Sequence, residues 1–142
     1  MRNQFTDPSN MESATYEKAF QDWIAYTKNH DGSLLSQLLA DDVVFHSPVV
    51  FTPQVGKNIT FLYLSAATQV LKQFRYTQMI REKGQWALRF EGQIGEIKAI
   101  GCDIITLNDQ GKMINFEVLV RPAKAVMAIQ QAMAGMLEKL KG

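Results

Sequence analysis

The feature that most constrains the fold is a series of strand-like segments in the second half of the sequence. Four runs rich in β-branched and aromatic residues follow one another, and the short turns between them contain Gly84, Gly95 and Gly111. The runs extend over residues 74–82, 86–93, 97–108 and 113–121. Because turns this short connect neighbouring antiparallel strands, the sequence predicts an antiparallel meander.

The first half of the sequence has helical periodicity instead. Apolar residues at helical spacing predict a first helix from Tyr16, which Ser13 caps and which ends before Gly32. A short second helix is expected over residues 33–39, followed by a strand containing VVFH, residues 43–46.

Two further helices are predicted on either side of the meander. The third helix is expected over about residues 57–72, and Pro122 suits the first turn of the last one. The predicted apolar stripes are Ile59, Leu62, Ala66 and Val70 in the third helix, and Val126, Ile129, Met133, Met136 and Leu140 in the last. Helices combined with an antiparallel meander define an α+β fold.

Length, charge and cysteine content exclude several classes of protein. The 142 residues suit one domain, 1–142, in which residues 1–12 are expected to form a loosely ordered N-terminal tail. The net charge is +1 and the basic residues are scattered, so no nucleic-acid partner is expected. The sequence lacks a signal peptide and a membrane span, which predicts a cytoplasmic protein with no membrane partner. Cys102 is the one cysteine, which excludes an intrachain disulfide and a cysteine-based zinc site.

Asp103 is the residue on which the functional interpretation depends. Strand alternation places it on the same face as Ala99, Gly101 and Ile105. An aspartate among apolar neighbours either stays protonated, because desolvation raises its pKa, or pairs with a cation such as Arg89 or Arg121. Both arrangements occur in functional sites, an acid paired with an arginine for purely structural reasons is about as common, and the sequence leaves these alternatives open.

The opposite face of the same strand is apolar as well. It carries Ile100, Cys102, Ile104 and Thr106. Since four helices do not easily cover both faces of a curved sheet, we expect a homodimer formed through this outer face.

The order of elements and several local sequences resemble the nuclear transport factor 2-like superfamily, in particular its SnoaL-like bacterial branch. The resemblance rests on LLADDVVFHSPV (residues 38–49), on Gly56 before the third helix, on GCDIITLNDQGKMINFEVLVRP (residues 101–122) and on the helix that follows. It covers essentially the whole chain and implies a cone in which helices line a strongly curved sheet. It is much less specific for activity, because this fold carries isomerases, cyclases, dehydratases, epoxide hydrolases and non-catalytic modules.

The resemblance to ketosteroid isomerases extends to one of three catalytic positions. Asp103 matches the protonated aspartic acid of the oxyanion hole. The general-base aspartate would fall at Ser47, and the oxyanion tyrosine of the first helix would fall at Trp23. The activity of these isomerases therefore does not transfer directly.

Two other enzyme classes with this fold give a similar result. The final-strand aspartate of limonene epoxide hydrolases would fall at Val118, so the carboxylate and arginine side chains of those enzymes are not reproduced as a set. SnoaL-type polyketide cyclases use an acid and a histidine at an apolar cavity, and Asp103 with His46 would supply such a pair. However, alternation turns His46 away from the side to which Phe45 and Ser47 point, which favours a structural histidine bonded to backbone near Pro48.

The loop FHSPVVFTPQVG, residues 45–56, is expected to border the cavity entrance, with Val49, Val50 and Phe51 as an apolar lip. The alternative is that this lip packs on a neighbouring subunit or on the last helix.

Further candidate ligand-pocket residues are those whose positions in a strand or helix repeat place them on the same inner side as Asp103. They are Trp23, Trp86, Phe90, Phe116 and Val118, and the same residues would also suit an ordinary core.

Arg121 has two possible roles: it could orient a ligand anion, or it could form a bridge to Glu91 or Glu117. We favour the bridge.

Taken together, the sequence predicts a small enzyme that acts by proton transfer on an apolar carbonyl compound, with Asp103 as acid, base or oxyanion donor. The alternative is a non-catalytic dimeric module that binds a hydrophobic ligand or partner. Neither hypothesis requires a metal or an organic cofactor.

Overall fold

The structure is a computed structural model and describes residues 8–141. Its helices are α1 (Pro8–Asn29), α2 (Gly32–Leu38), α3 (Lys57–Val70) and α4 (Ala123–Lys141). Its strands are β1 (Leu39–His46), β2 (Gln54–Val55), β3 (Lys72–Glu82), β4 (Gln85–Ile94), β5 (Ile97–Leu107) and β6 (Met113–Arg121).

The strands form one mixed sheet in the order β2-β1-β6-β5-β4-β3. Strands β3 to β6 pair antiparallel with their neighbours, which confirms the predicted meander, while β1 joins β6 in parallel. The register between β3 and β4 shifts twice, between Lys72 and Arg75 and between Tyr76 and Gln78. Because such irregularities bend a strand and increase its twist, they help to curve the sheet around the helices. The predicted α+β cone is confirmed.

Two details of the predicted helices are wrong. Helix α1 begins at Pro8, so Ser13 lies inside the helix and does not cap it. Proline at a first helical position needs no hydrogen-bond partner for its nitrogen, which explains the earlier start. Of the predicted N-terminal tail, residues 1–7 lie outside the described residues. In α3 the buried side chains are Thr60, Leu64 and Ala66, so the buried stripe is rotated from the predicted one.

The core is divided into two clusters. The larger one joins α1 and α2 to the inner face of the sheet, where Phe20 packs edge-on against Trp86 with ring centroids 5.3 Å apart. The smaller one joins α4 to the sheet through Ala125 and Ile129, which meet Ile94 and Ala99. Helix α4 therefore covers only one end of the concave face, and α1 covers the other.

Gly101 allows an aromatic ring to lie directly on the inner face of β5. A Cβ atom at this position would collide with the Phe90 ring and with the Leu119 carbonyl oxygen. Glycine is the residue that permits such close approach in a strand.

None of the helices formed by residues 8–141 has an apolar stretch of the length that crossing a membrane requires.

Candidate functional site

A cavity of about 260 Å³ lies between the helices and the concave face of the sheet. Residues of α1, α3, α4, the inner sheet face and the loop after β1 line it, and most of them are apolar. The volume is close to the lower end of the range for small-molecule pockets. Six of the candidate residues line it: Trp23, Ser47, Phe90, Asp103, Phe116 and Val118.

Asp103 is the buried acid of this cavity. It lies on β5 with 5% of its surface exposed, and its inward orientation is the one that alternation predicts. The Tyr76 hydroxyl, from β3, donates a hydrogen bond of 2.6 Å to Asp103 Oδ2. Trp23 Nε1, from α1, donates in turn to the Tyr76 hydroxyl oxygen at 2.9 Å. Three elements distant in sequence therefore supply one chain of hydrogen bonds.

This chain of hydrogen bonds determines where a proton on Asp103 can reside. An indole nitrogen can only donate, so the Tyr76 oxygen accepts from Trp23 and its own hydrogen points to Asp103 Oδ2. The proton of the neutral acid therefore belongs on Oδ1. Among the described residues none forms a hydrogen bond with Oδ1, which leaves this oxygen available to a ligand.

Burial raises the pKa of Asp103 from 3.8 to about 7, and the hydrogen bond from Tyr76 opposes part of this shift. Burial, followed by the nearby Asp103 charge, raises the pKa of Tyr76 well above its usual 10.0. Tyr76 is thus a fixed neutral donor, whereas Asp103 exchanges its proton near neutral pH. A raised pKa is what desolvation produces for an acid in an apolar cavity.

No arginine pairs with Asp103 in the part of the chain that the structure describes. Arg89 donates to Thr77 Oγ1 at 2.6 Å and to Glu91 at 3.2 Å. Arg75 donates to Glu91 at 2.7 Å. Arg121 is exposed and, within the described residues, pairs with neither Glu91 nor Glu117, so the favoured bridge is wrong. The ion-pair alternative for Asp103 is thereby replaced by a tyrosine donor.

Ser47 lines the cavity on the other side of β6 from Asp103. His46 is level with Glu117 in the β1–β6 register, so Ser47 follows at the level of Val118, which itself pairs with Asp103 on β5. Its Oγ accepts a hydrogen bond of 3.0 Å from the Val49 amide. The position that resembles the general base of ketosteroid isomerases thus holds a hydroxyl and not a carboxylate.

His46 is not among the residues that line the cavity. Its Nε2 lies 2.9 Å from Asn115 Oδ1, which agrees with the predicted outward direction. The expected bond to backbone near Pro48 is wrong, because the side chain of the neighbouring strand β6 supplies the partner. The predicted pair of His46 and Asp103 is therefore not brought together.

Two predicted pocket residues do not line the cavity. Trp86 is buried in the larger core cluster against Phe20, because α1 fills the end of the cone on which this part of β4 lies. Phe51 is fully exposed, at 101%, whereas its neighbours Val49 and Val50 do line the cavity. The chain bends at residues 48–49 and again at 51–52, so the predicted lip is shorter than expected.

Sequence reasoning missed several residues at this site. Tyr76 was not considered, although it follows Phe74 at the spacing of inward-facing strand residues. His30 and Gln130 also line the cavity, at its α1 and α4 sides. Within residues 8–141 no group of three or more histidine, cysteine or acidic side chains is arranged to hold a metal ion.

Solved structures similar to this chain identify its fold. An uncharacterised bacterial protein with a cystatin-like fold from Silicibacter pomeroyi DSS-3 is 36% identical, with a TM-score of 0.79 over 82% of this chain and 83% of that one. A steroid delta-isomerase from Pseudomonas aeruginosa is 28% identical, with a TM-score of 0.86 over 89% of this chain and 94% of that one.

A nuclear transport factor 2-like protein of unknown function from Mesorhizobium loti is 15% identical, with a TM-score of 0.68 over 82% of this chain and 95% of that one, and shows the fold alone. No protein-family model and no curated protein matches the sequence.

Proposed function

We infer that this protein, which belongs to the nuclear transport factor 2-like superfamily, binds a small apolar carbonyl compound in its cavity and acts on it by proton transfer, as isomerases and cyclases do. The observation that carries the proposal is the hydrogen bond from Tyr76 to a buried Asp103 whose pKa is about 7. The similarity to a steroid delta-isomerase supports the same class of chemistry.

The proposed chemistry uses Asp103 as an oxyanion donor. The protonated Oδ1 donates a hydrogen bond to the carbonyl oxygen of the ligand, while Tyr76 holds Oδ2 in place. When the ligand loses a proton from the carbon next to the carbonyl, negative charge develops on that oxygen. A preorganised donor in an apolar cavity stabilises this charge strongly.

In the isomerisation of a β,γ-unsaturated ketone, the C–H bond next to the carbonyl breaks and a C–H bond forms at the γ carbon. The double bond moves into conjugation with the carbonyl, and no net oxidation occurs. With Ser47 where a carboxylate base would be useful, water accepts and returns the proton in our scheme. We therefore expect slow turnover in comparison with an enzyme that has a positioned base.

The missing base also favours a second function of another class. In this alternative the protein is a non-catalytic, dimeric module, and Asp103 orients a hydrophobic carbonyl ligand without further chemistry. Binding and turnover separate the two hypotheses, because both require the ketone to bind and only the first requires it to change.

We further propose that the outer sheet face binds a second copy of the chain. On this face Ile80 and Leu119 are 59% and 49% exposed, and the predicted row Ile100, Cys102, Ile104 and Thr106 is partly exposed. Apolar surface of this kind on a sheet is typically covered in an assembly. In such a dimer, each cavity lies on the concave face of its own sheet, which is the face turned away from the interface.

The proposed function is tested with cyclohex-3-en-1-one, whose conversion to the conjugated enone is followed by ultraviolet absorbance, and whose binding is followed by calorimetry. We expect wild-type protein to bind it and to accelerate conversion, and Asp103→Asn to lose most of the acceleration. Asp109→Asn, at an exposed turn, is the matched control and should behave like wild type. Binding without conversion would establish the module instead, and the absence of binding would refute both hypotheses.

A further inference from the structure

Trp23 lines the cavity, but its polar group is already bonded within the protein. Its Nε1 donates a hydrogen bond of 2.9 Å to the Tyr76 hydroxyl oxygen, and Tyr76 is not among the residues that line the cavity. Because an indole has one polar hydrogen and no acceptor, this bond uses the whole hydrogen-bonding capacity of Trp23. The tryptophan therefore offers a ligand only its apolar ring, while its N–H group acts on Tyr76.

The Trp23 ring is held between two aromatic neighbours. It stacks on Tyr26, one turn further along α1, with ring centroids 5.5 Å apart, and it meets Phe116 of β6 edge-on at 5.3 Å. Only 3% of the surface of Trp23 is exposed. Packing on both sides restricts the rotation of a side chain, so Nε1 stays at one position relative to Tyr76.

Tyr76 lies where the sheet itself offers little support. It belongs to β3, the edge strand, and the register between β3 and β4 shifts directly after it. Phe74 contacts the Tyr76 ring edge-on at 5.0 Å. Among the described residues, Trp23 is the one that donates to the Tyr76 hydroxyl oxygen. The position of this hydroxyl therefore depends on side-chain contacts, and Trp23 supplies the polar one.

The two hydrogen bonds in series act on the acidity of Asp103. Burial and the Asp103 charge raise the pKa of Tyr76, and the hydrogen bond from Trp23 opposes this shift. Burial raises the pKa of Asp103, and the hydrogen bond from Tyr76 opposes that shift in turn. Consecutive hydrogen bonds polarise and strengthen one another. Trp23 therefore makes Tyr76 a better donor to the acid.

We propose that Trp23 is a positioning residue for Asp103: its N–H group holds the Tyr76 hydroxyl beside Asp103 Oδ2 and strengthens the hydrogen bond that Tyr76 donates there. A stronger hydrogen bond to Oδ2 makes a proton on Oδ1 a better donor to the carbonyl oxygen of a ligand. The catalytic consequence rests on the proposed function. Residue 23, which resembles in position the oxyanion tyrosine of ketosteroid isomerases, thus acts behind the acid and not on the ligand.

A purely space-filling role of Trp23 would change Asp103 in the opposite direction. Burial is the main cause of the raised pKa of Asp103, and Trp23 forms part of the wall that excludes water. If Trp23 only filled space, a smaller ring would admit water and lower this pKa. The other titratable side chains that line the cavity are Tyr26, His30 and Tyr63, and in the described part of the chain none of them is bonded to Asp103.

The test follows the titration midpoint of Asp103 by carbon NMR of protein labelled at the aspartate carboxyl carbons. We expect Trp23→Phe to raise the midpoint by about 0.5 pH unit, a fraction of the effect of one hydrogen bond to a charged group. In the Tyr76→Phe variant no hydroxyl is present to receive the N–H group. Adding Trp23→Phe to that variant should therefore cause no further rise.

Trp86→Phe is the matched control. Trp86 is 2% exposed and meets Phe20 edge-on at 5.3 Å, so it is packed much as Trp23 is, but it does not line the cavity. This variant should be less stable than wild type and should keep the wild-type midpoint of Asp103.

A tryptophan analogue removes the N–H group and keeps the shape of the ring. In benzothienylalanine a sulfur atom takes the place of the indole N–H group. The chain has two tryptophans, so in the Trp86→Phe variant the analogue enters at residue 23 alone. We expect the Asp103 midpoint to rise as in Trp23→Phe. Where the two proteins disagree, the analogue decides, because it retains the packing.

A midpoint that stays constant or falls in the protein that carries the analogue would overturn the inference. An equal rise on adding Trp23→Phe to Tyr76→Phe would also overturn it, because the effect would then not pass through the tyrosine hydroxyl. These titrations need no ligand. Failure of cyclohex-3-en-1-one to bind would overturn the proposed function alone, and the titrations would still decide whether Trp23 acts on Asp103 through Tyr76.

Discussion

The Tyr76 hydroxyl donates a hydrogen bond of 2.6 Å to the Asp103 carboxyl group and accepts one of 2.9 Å from Trp23 Nε1. The cavity acid is therefore held by an aromatic hydrogen-bond network and not by a cation. A cation would keep the carboxyl ionised, whereas a neutral donor in an apolar cavity permits protonation near neutral pH.

Asp103 should make the folded protein less stable as the pH rises. Its folded pKa of about 7 is above the usual 3.8, so the folded state holds the proton more tightly than the unfolded state. The resulting stabilisation is complete below about pH 4 and is lost as the pH rises to about 7, an effect of about 4 kcal/mol. The Asp103→Asn variant has no such proton, so urea unfolding at several pH values should show it gaining stability relative to wild type over this window. A stability difference that stays constant with pH would contradict this prediction.

Removing the Tyr76 hydroxyl should affect both of its neighbours. Tyr76→Phe leaves Trp23 Nε1 without its acceptor and Asp103 Oδ2 without its donor. We expect the free energy of unfolding to fall by about 1–3 kcal/mol. The pKa of Asp103 should rise further, since the lost hydrogen bond lowers it.

Urea unfolding and the pH dependence of ketone binding measure these two effects. Tyr63→Phe is the matched control, because in the described residues the Tyr63 hydroxyl forms no hydrogen bond. Equal stability of the Tyr76 and Tyr63 variants would show that the network does not support the fold.

A carboxylate at residue 47 should increase turnover. Ser47 lines the cavity across β6 from Asp103, where a base would face the bound ketone. Positioned general bases typically contribute about 10²–10⁴ in rate, so Ser47→Asp should accelerate the isomerisation of cyclohex-3-en-1-one by at least about tenfold. Thr52→Asp adds the same charge on the exposed part of the same loop and should not. Equal rates for the two variants would contradict the placement of residue 47 beside the bound ketone.

The proposed dimer predicts twice the chain mass of 16.0 kDa by sedimentation at micromolar concentration. Ile104→Lys places a charge in the outer apolar row and should give monomer or aggregate. Glu96→Lys, in the β4–β5 turn, introduces the same side chain away from this face and should remain dimeric. A monomeric wild type would refute the dimer.

The meander and the burial of Asp103 could be predicted because they depend on local patterns. The turn glycines separate β3, β4, β5 and β6, and alternation along β5 fixes which residues face inward. Alternation also gives the correct outward direction of His46. These features require no knowledge of what packs against the sheet.

The parts of the site that were missed depend on packing between distant elements. Alternation places Trp86 on the inner face, but it cannot tell that Phe20 fills this end of the cone. Tyr76 lies on the edge strand β3 beside a shift in register, where the burial pattern no longer alternates clearly. The left-handed backbone at His30 also has no sequence signal, because the side chain is not a glycine.

The titration of the Asp103 carboxyl group tests the central claim most directly. Carbon NMR of protein labelled at the aspartate carboxyl carbons follows each aspartate with pH, and the Asp103→Asn spectrum identifies the resonance of Asp103 by its absence. We predict a midpoint near the pKa of about 7 that burial imposes on this group. A midpoint at or below the ordinary 3.8 would show an ionised carboxylate at neutral pH and would contradict the role of Asp103 as a protonated donor.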